Sequence, residues 1–299
     1  DGGGIYVQRN SNVVSIRASI VINNTAYLGN GGAIHGSATS ISNTNFTDNS
    51  AMSNGGALYI DVLISNALTI TNTEFHNNSA HRSSGGGIHI NKTYDKPTAV
   101  YLDHSQITSN TAYNDGGFMY SNDSEINVIV LKSTLKGNTA FHGDGGCIVG
   151  RSNITVGIQH TKIVSNQAGK NGGCMSFGDD TNVDISSCVI DTNTANQSGG
   201  VLNVQNNMVL RISNLVIKHN IAREGNGGFL CSRNEFILHS KNSAFVGNAA
   251  TERNGGCISG SSNGFVSFDN VSFTSNSAGK YGGVVVYDDA VNITLFNTT

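Results

Sequence analysis

A pair of glycines recurs eleven times along the chain, beginning at Gly2, Gly31, Gly55, Gly85, Gly116, Gly145, Gly172, Gly199, Gly227, Gly255 and Gly282. Successive pairs lie 24 to 31 residues apart. Six or seven residues before each pair, from the second onward, stands an asparagine: Asn24, Asn49, Asn78, Asn110, Asn138, Asn166, Asn193, Asn220, Asn248 and Asn276. Two residues after each of these is always alanine, from Ala26 to Ala278, and three before it always Phe, Ile, Leu or Val. A strict period of this length signals one structural unit repeated along the chain, and it has to be explained before any single residue is.

Inside each copy the period is two. The fourth position, counted from the first glycine of the pair, is bulky and apolar (Ile34, Leu58, Met119, Ile148, Val285), and the fifth is mostly polar or aromatic. That alternation reads as a short strand. Apolar pairs eight and ten residues before the asparagine, such as Val128 with Val130, give a second strand, and the residues around the Phe/Ile/Leu/Val position give a third. No copy carries a helical stripe. Three short strands in each of ten to eleven copies of about 28 residues describe a single-stranded parallel β-helix. One coil cannot bury its own apolar face, but coils stacked ~4.8 Å apart bury a continuous interior column. The expectation is one solenoid over residues 1–299.

The repeated residues then have structural work. The glycine pair supplies positive φ or close backbone approach at a corner. The asparagine turns its amide inward, where copies in successive coils form a hydrogen-bonded ladder. The alanine fits beside that bend.

Composition limits function. The net charge is −3, only 12% of residues are charged, and 40 are asparagine. No basic block points to nucleic acid, and no apolar run is long enough to cross a membrane. Nothing in the pattern calls for a cofactor. The sequence opens within a coil at "DGGGIYV" and stops at "VNITLFNTT", with no charged cap at either place. Open parallel edges invite pairing, so the expectation is a longer array or a subunit that stacks head to tail.

Several side-chain sets are candidates for chemistry. Acceptor motifs for N-glycosylation begin at Asn23, Asn45, Asn77, Asn91, Asn122, Asn153, Asn196, Asn270, Asn292 and Asn297. All fall at loop or outward positions, and no ladder asparagine is an acceptor, because alanine fills its second following site. Asn with Ser or Thr is also common on turns for purely conformational reasons. Tyr6, His35, Tyr59, His89 and Tyr120 occupy the fifth position of consecutive coils. They are expected to line one outward face, as a contact strip for sugar rings or a neighbouring filament, or as a self-stacking surface ladder. His35 and His89 are two coils apart, too far to share a metal ion.

Asp115 and Asp144 precede the glycine pair in adjacent coils. A spacing of ~5 Å would suit a retaining glycosidase, but the position reads as an Asx-type turn, filled elsewhere by Asn, Ser or Tyr. Asp179–Asp180 and Asp288–Asp289 are not expected to converge, and Arg151, Arg211 and Arg233 are not expected to join an acidic group. Of the five cysteines (Cys147, Cys174, Cys188, Cys231, Cys257), Cys147 and Cys174 hold the same position in successive coils. They are within reach of a disulfide, or are small apolar members of a stack. No spacing suggests zinc.

The stretch "FTDN…GGAL" from Phe46 to Leu58, and "FTSN…GGVV" from Phe273 to Val285, resemble the repeat of the chlamydial polymorphic outer membrane proteins. The resemblance runs through the whole chain. It implies a right-handed parallel β-helix displayed outside the cell as an adhesive passenger. Together these readings point to an extracellular or cell-surface structural and adhesive repeat protein, filamentous, glycosylated and without catalysis. The alternative is a polysaccharide lyase or glycoside hydrolase on the same scaffold, which would need convergent acids and bases in one groove.

Overall fold

The computed structural model describes residues 1–7, 13–63, 67–93, 98–122 and 125–299. Among the described residues every regular element is a β-strand, and the strands pair in parallel, coil upon coil. The chain winds as a β-solenoid of about 10 turns, roughly 28 residues apart. A representative coil contains strands Leu58–Leu63, Ala67–Thr71 and Glu74–His76, then a two-residue strand, Ser79–Ala80. Further along, the first two of these run together, as in Met175–Ser186 and Leu202–Ser213.

Register explains why the apolar positions repeat so strictly. Leu58 pairs with Ile34 on one side and Ile88 on the other, and the column continues through Met119 to Ile148. Phe75 pairs with Phe46 and Ile107. The Phe46 and Phe75 rings stack at a centroid distance of 4.8 Å, nearly parallel. All these side chains are buried. Burying a side chain of this size is worth roughly 1.5–3 kcal/mol over leaving it in water. A polar residue at such a position would interrupt the column for the coils on both sides. The alanines after the asparagines form their own buried file, Ala51 with Ala80 and Ala80 with Ala112. A larger side chain there would push two coils apart.

Each coil turns at corners held in the left-handed region. One is the first glycine of the pair, for example Gly199 at φ 68°. The second glycine answers a different need: a Cβ on Gly200 would run into the carbonyl oxygen of Gly228 and the backbone of Ile221 in the next coil. The other corners are mostly not glycine, with Gly137 and Gly247 the exceptions. They fall one and six residues before the ladder asparagine, as at Asn77 (φ 53°) and Asn72 (φ 47°), and at Ser165 (φ 57°) and His160 (φ 50°). Side chains with positive φ are uncommon, and short polar ones tolerate it best. The sequence gives no single residue type at these corners.

Candidate functional site

The polar residues that recur most strictly point into the structure, not away from it. Asn138 donates through Nδ2 to Oδ1 of Asn166 (2.9 Å) and to the carbonyl of Ile107 (3.0 Å), and its backbone N–H donates to the same Oδ1 (3.0 Å). The same side-chain link joins Asn24 to Asn49, Asn49 to Asn78, Asn78 to Asn110 and Asn110 to Asn138. It continues from Asn166 through Asn193, Asn220 and Asn248 to Asn276. In every step the donor lies in the earlier coil. A buried amide is costly unless all its groups are paired, and the ladder pairs them.

A second ladder, which the sequence reading took for isolated turns, runs along the corner before the glycine pair. Oδ1 of Asp115 accepts the backbone N–H of Asp144 at 2.9 Å, and Oδ1 of Asp144 accepts that of Asn171 at 2.9 Å. Asn171, Ser198, Asn226 and Asn254 then accept in turn from Ser198, Asn226, Asn254 and Tyr281. Asp1, Asn30, Asn54 and Ser84 accept in the same way before Asp115. Here the donor lies in the later coil, opposite to the inner ladder. Asp115 and Asp144 thus serve as backbone acceptors. Burial raises the Asp115 pKa above the ordinary carboxylate range, and the N–H of Asp144 works against that shift.

A third file sits five residues before the ladder asparagine in most coils, with Leu215 and Val271 interrupting it. The hydroxyls of Thr73, Ser105, Ser133 and Thr161 each donate to the carbonyl two residues earlier, and those of Ser105, Ser133 and Thr161 take up a backbone N–H from the preceding coil. Its signal in the sequence was the run of Ser and Thr at that offset, with Cys188 substituting.

The aromatic file is found where its register puts it, as the self-stacking ladder and not as an outward contact strip. Tyr6, His35, Tyr59, His89 and Tyr120 stack ring on ring with centroids 4.8 to 5.1 Å apart. His35, Tyr59, His89 and Tyr120 are buried, and only Tyr6 is exposed. Each ring hides the faces of its neighbours. Asp61 Oδ2 closes on His35 Nε2 at 3.1 Å, and Arg151 Nε donates to the Tyr120 hydroxyl at 3.3 Å. Desolvation lowers the His89 pKa to about 4, against a raising contribution from a hydrogen bond to the Ser84 backbone. Surface rings occur instead three residues after the ladder asparagine, at Tyr27, Tyr113 and Phe141, which are exposed. The column carries no motif, because Met52 and His81 separate Tyr27 from Tyr113 and Gly169 follows Phe141.

All five cysteines are free and buried, so Cys147 and Cys174 are not bridged. They stack in register, Cys147 N–H donating to the Cys174 carbonyl at 2.8 Å. In-register stacking sends both Cβ bonds the same way, so the sulfurs lie side by side without the turn a disulfide dihedral needs. Burial, with each other's company, pushes the Cys147 thiol far above its ordinary range.

Of the glycosylation motifs, Asn23, Asn45, Asn77, Asn122, Asn153, Asn270, Asn292 and Asn297 are exposed, and Asn91 and Asn196 are half-buried. Asn23, Asn77, Asn153, Asn270 and Asn297 sit at left-handed corners. Nδ2 of Asn77 donates to Asp48 and that of Asn270 to Asn242. Ser124, the hydroxyl partner of Asn122, lies outside the described residues.

The basic residues correct one expectation: Arg211 pairs with Asp184 at 3.6 Å, and the positive charges of Lys170 and Arg151 offset a small part of the burial that raises the Asp115 pKa. The outward alternation of adjacent strands brings these pairs together across coils. Among the described residues no group of three His, Cys, Asp or Glu is placed to hold a metal ion, and no helix is long and apolar enough to cross a membrane.

The stretch that spans one inner-ladder asparagine, Asn49, and the corner glycines Gly55 and Gly56 decides the comparison with known proteins. Residues 43–61 match the Chlamydia polymorphic membrane protein (Chlamydia_PMP) repeat. The matched segment of this repeat runs from the left-handed corner at Asn43 to Asp61, which closes on His35. No curated protein and no solved structure matches the chain. The resemblance carried by "FTDN…GGAL" is therefore found at its quoted place, in a chain whose other copies stack on it in register.

Proposed function

We propose that the chain is a surface-displayed, adhesive β-solenoid outside the cell, without catalysis, that stacks end to end with further copies and carries N-linked glycans. The observation that supports it most is the match of residues 43–61 to the polymorphic membrane protein repeat, a family associated with the cell surface. The polar residues that recur in every coil are used in ladders, which leaves the outward positions free to vary, and outward positions are where an adhesin meets its partner. Exposed Tyr27, Tyr113 and Phe141 are suited to such contact. Every coil edge offers the backbone groups that the next coil takes up, so one copy can seat on another by the same register. Eight of the ten glycan acceptor asparagines are exposed.

Beads coated with the purified chain should bind cultured epithelial cells saturably, and beads carrying the Tyr27→Ser/Tyr113→Ser/Phe141→Ser variant should bind less. Binding no greater than that of albumin-coated beads overturns the adhesive reading. Sedimentation velocity should show species larger than one chain, and intact mass of material secreted from eukaryotic cells should fall on glycosidase treatment. A single monomeric species, or an unchanged mass, removes the corresponding part.

A further inference from the structure

A groove runs along the axis in the second half of the solenoid, enclosing about 790 Å³. Its floor is one outward column in direct register: Asn182 with Val209, Val209 with Ile237, Ile237 with Phe265. Earlier coils fill this column with Ala67, Ala99, Asn127 and Thr155. Ile237 and Phe265 are large, apolar and exposed to 40% and 37%. A strand side chain facing water is ordinarily polar, so an apolar floor confined to these coils requires a cause.

One wall is a ridge built by the bend between the two strand directions. It carries Asp180, Asn207, Glu235 and Asn263, one per coil. Asp180 and Asn207 hold positive φ (53° and 51°), which aims their side chains out of the sheet. Asn207 Nδ2 donates to Asp180 Oδ1 at 2.9 Å, which fixes the ridge while leaving Asp180 Oδ2 and Asn207 Oδ1 free of that bond. On the other side of the floor lie Asp184 with Arg211, and His239, whose ring stands 5.6 Å from that of Phe265. Among the described residues lining the groove none is lysine or arginine.

We propose that this groove binds an extended, neutral oligosaccharide lying along the solenoid axis. A sugar ring has an apolar C–H face and a rim of hydroxyls. The floor of Val209, Ile237 and Phe265 takes the face, and the ridge of amides and carboxylates accepts from the hydroxyls. The same pair of features recurs at each coil, ~4.8 Å apart, so the site suits a linear polymer more than a compact metabolite. Acidic glycans would meet Asp180 and Glu235 in the lining, while the neighbouring Arg211 is paired with Asp184, which disfavours them. The inference does not depend on the adhesive reading, since it concerns the purified chain and a soluble ligand.

The test is titration calorimetry of the full chain with β-1,4-linked hexasaccharides of glucose, mannose and xylose, the trisaccharides of the same sugars, and hexamers of galacturonate and glucosamine. At least one neutral hexasaccharide should bind, more tightly than its trisaccharide. Ile237→Thr/Phe265→Thr should weaken it about tenfold, with an unchanged thermal midpoint showing that the solenoid is intact. Asp180→Asn/Glu235→Gln should change neutral binding far less. No binding by any neutral hexasaccharide overturns the proposal. So does binding of the glucosamine hexamer alone, lost in Asp180→Asn/Glu235→Gln, which would assign the groove to cationic ligands. Neutral binding that survives Ile237→Thr/Phe265→Thr overturns the placement. Adhesion of coated beads can fail while hexasaccharide binding succeeds, and the reverse, so the two readings are separable.

Discussion

Oδ1 of Asn166 receives two hydrogen bonds from one residue, Asn138: the side-chain amide at 2.9 Å and the backbone N–H at 3.0 Å. Asn138 Nδ2 also reaches the Ile107 carbonyl. Every position of that amide is specified, and a carboxylate in its place would face two acceptors in a fully buried site. Asn138→Asp should cost on the order of 3 kcal/mol or more, read as a lower midpoint in chemical denaturation.

The corner ladder makes the opposite prediction. Asn226 needs only an acceptor oxygen, since its Oδ1 takes the Asn254 N–H at 3.0 Å and its own N–H goes to Ser198 Oγ. Asp already fills the equivalent places at Asp115 and Asp144. Asn226→Asp should change stability by less than about 1 kcal/mol in the same measurement.

Two glycines separate backbone clearance from mere composition. A Cβ at Gly200 meets backbone of Gly228 and Ile221, whereas at Gly157 it meets nothing within 4 Å. Gly200→Ala should destabilise by about 3 kcal/mol. Gly157→Ala, on an outward strand position, should stabilise by roughly 0.5 kcal/mol. Denaturation curves of the two variants should move in opposite directions.

His89 couples stability to pH. Its pKa falls from 6.5 to about 4 on folding, because burial between Tyr59 and Tyr120 favours the neutral ring. The unfolded chain therefore takes up a proton before the folded one does. Stability is full above about pH 6.5 and is lost as pH falls toward 4, by about 3 kcal/mol in all. His89→Gln should flatten the slope of unfolding midpoint against pH in that window.

Cys231 should be inert in the native state. Its thiol is buried and pushed up to about 11, mainly by desolvation. Iodoacetamide at neutral pH should label it only after denaturant is added; labelling of native protein at the rate of a free thiol would contradict its placement.

The coil repeat was legible in the sequence because Phe46, Phe75 and Ile107 share one buried column that admits only large apolar residues. The glycine pair was legible for a similar reason: backbone at Gly200 leaves no alternative. The corner ladder was not, because what repeats there is an accepting oxygen, which Asp, Asn and Ser supply equally. The left-handed corners at Ser165 and His160 were hidden likewise, since several polar residues tolerate that backbone. The aromatic file was misplaced for a different reason. Alternation gives the side of the strand on which His35 and Tyr59 lie, and one-coil spacing gives the self-stacking ladder, but neither gives the burial that the stacked rings reach. The groove at Ile237 and Phe265 has no motif at all; it follows only from which outward residues register brings into line.

Because the inner asparagine ladder donates forward along the axis and the corner ladder donates backward, their aligned dipoles oppose each other. In an α-helix the peptide dipoles all point one way and sum to about half a charge at each end. In this solenoid the corner file runs against the inner one, so the two do not add along the axis as the peptide dipoles of a helix do.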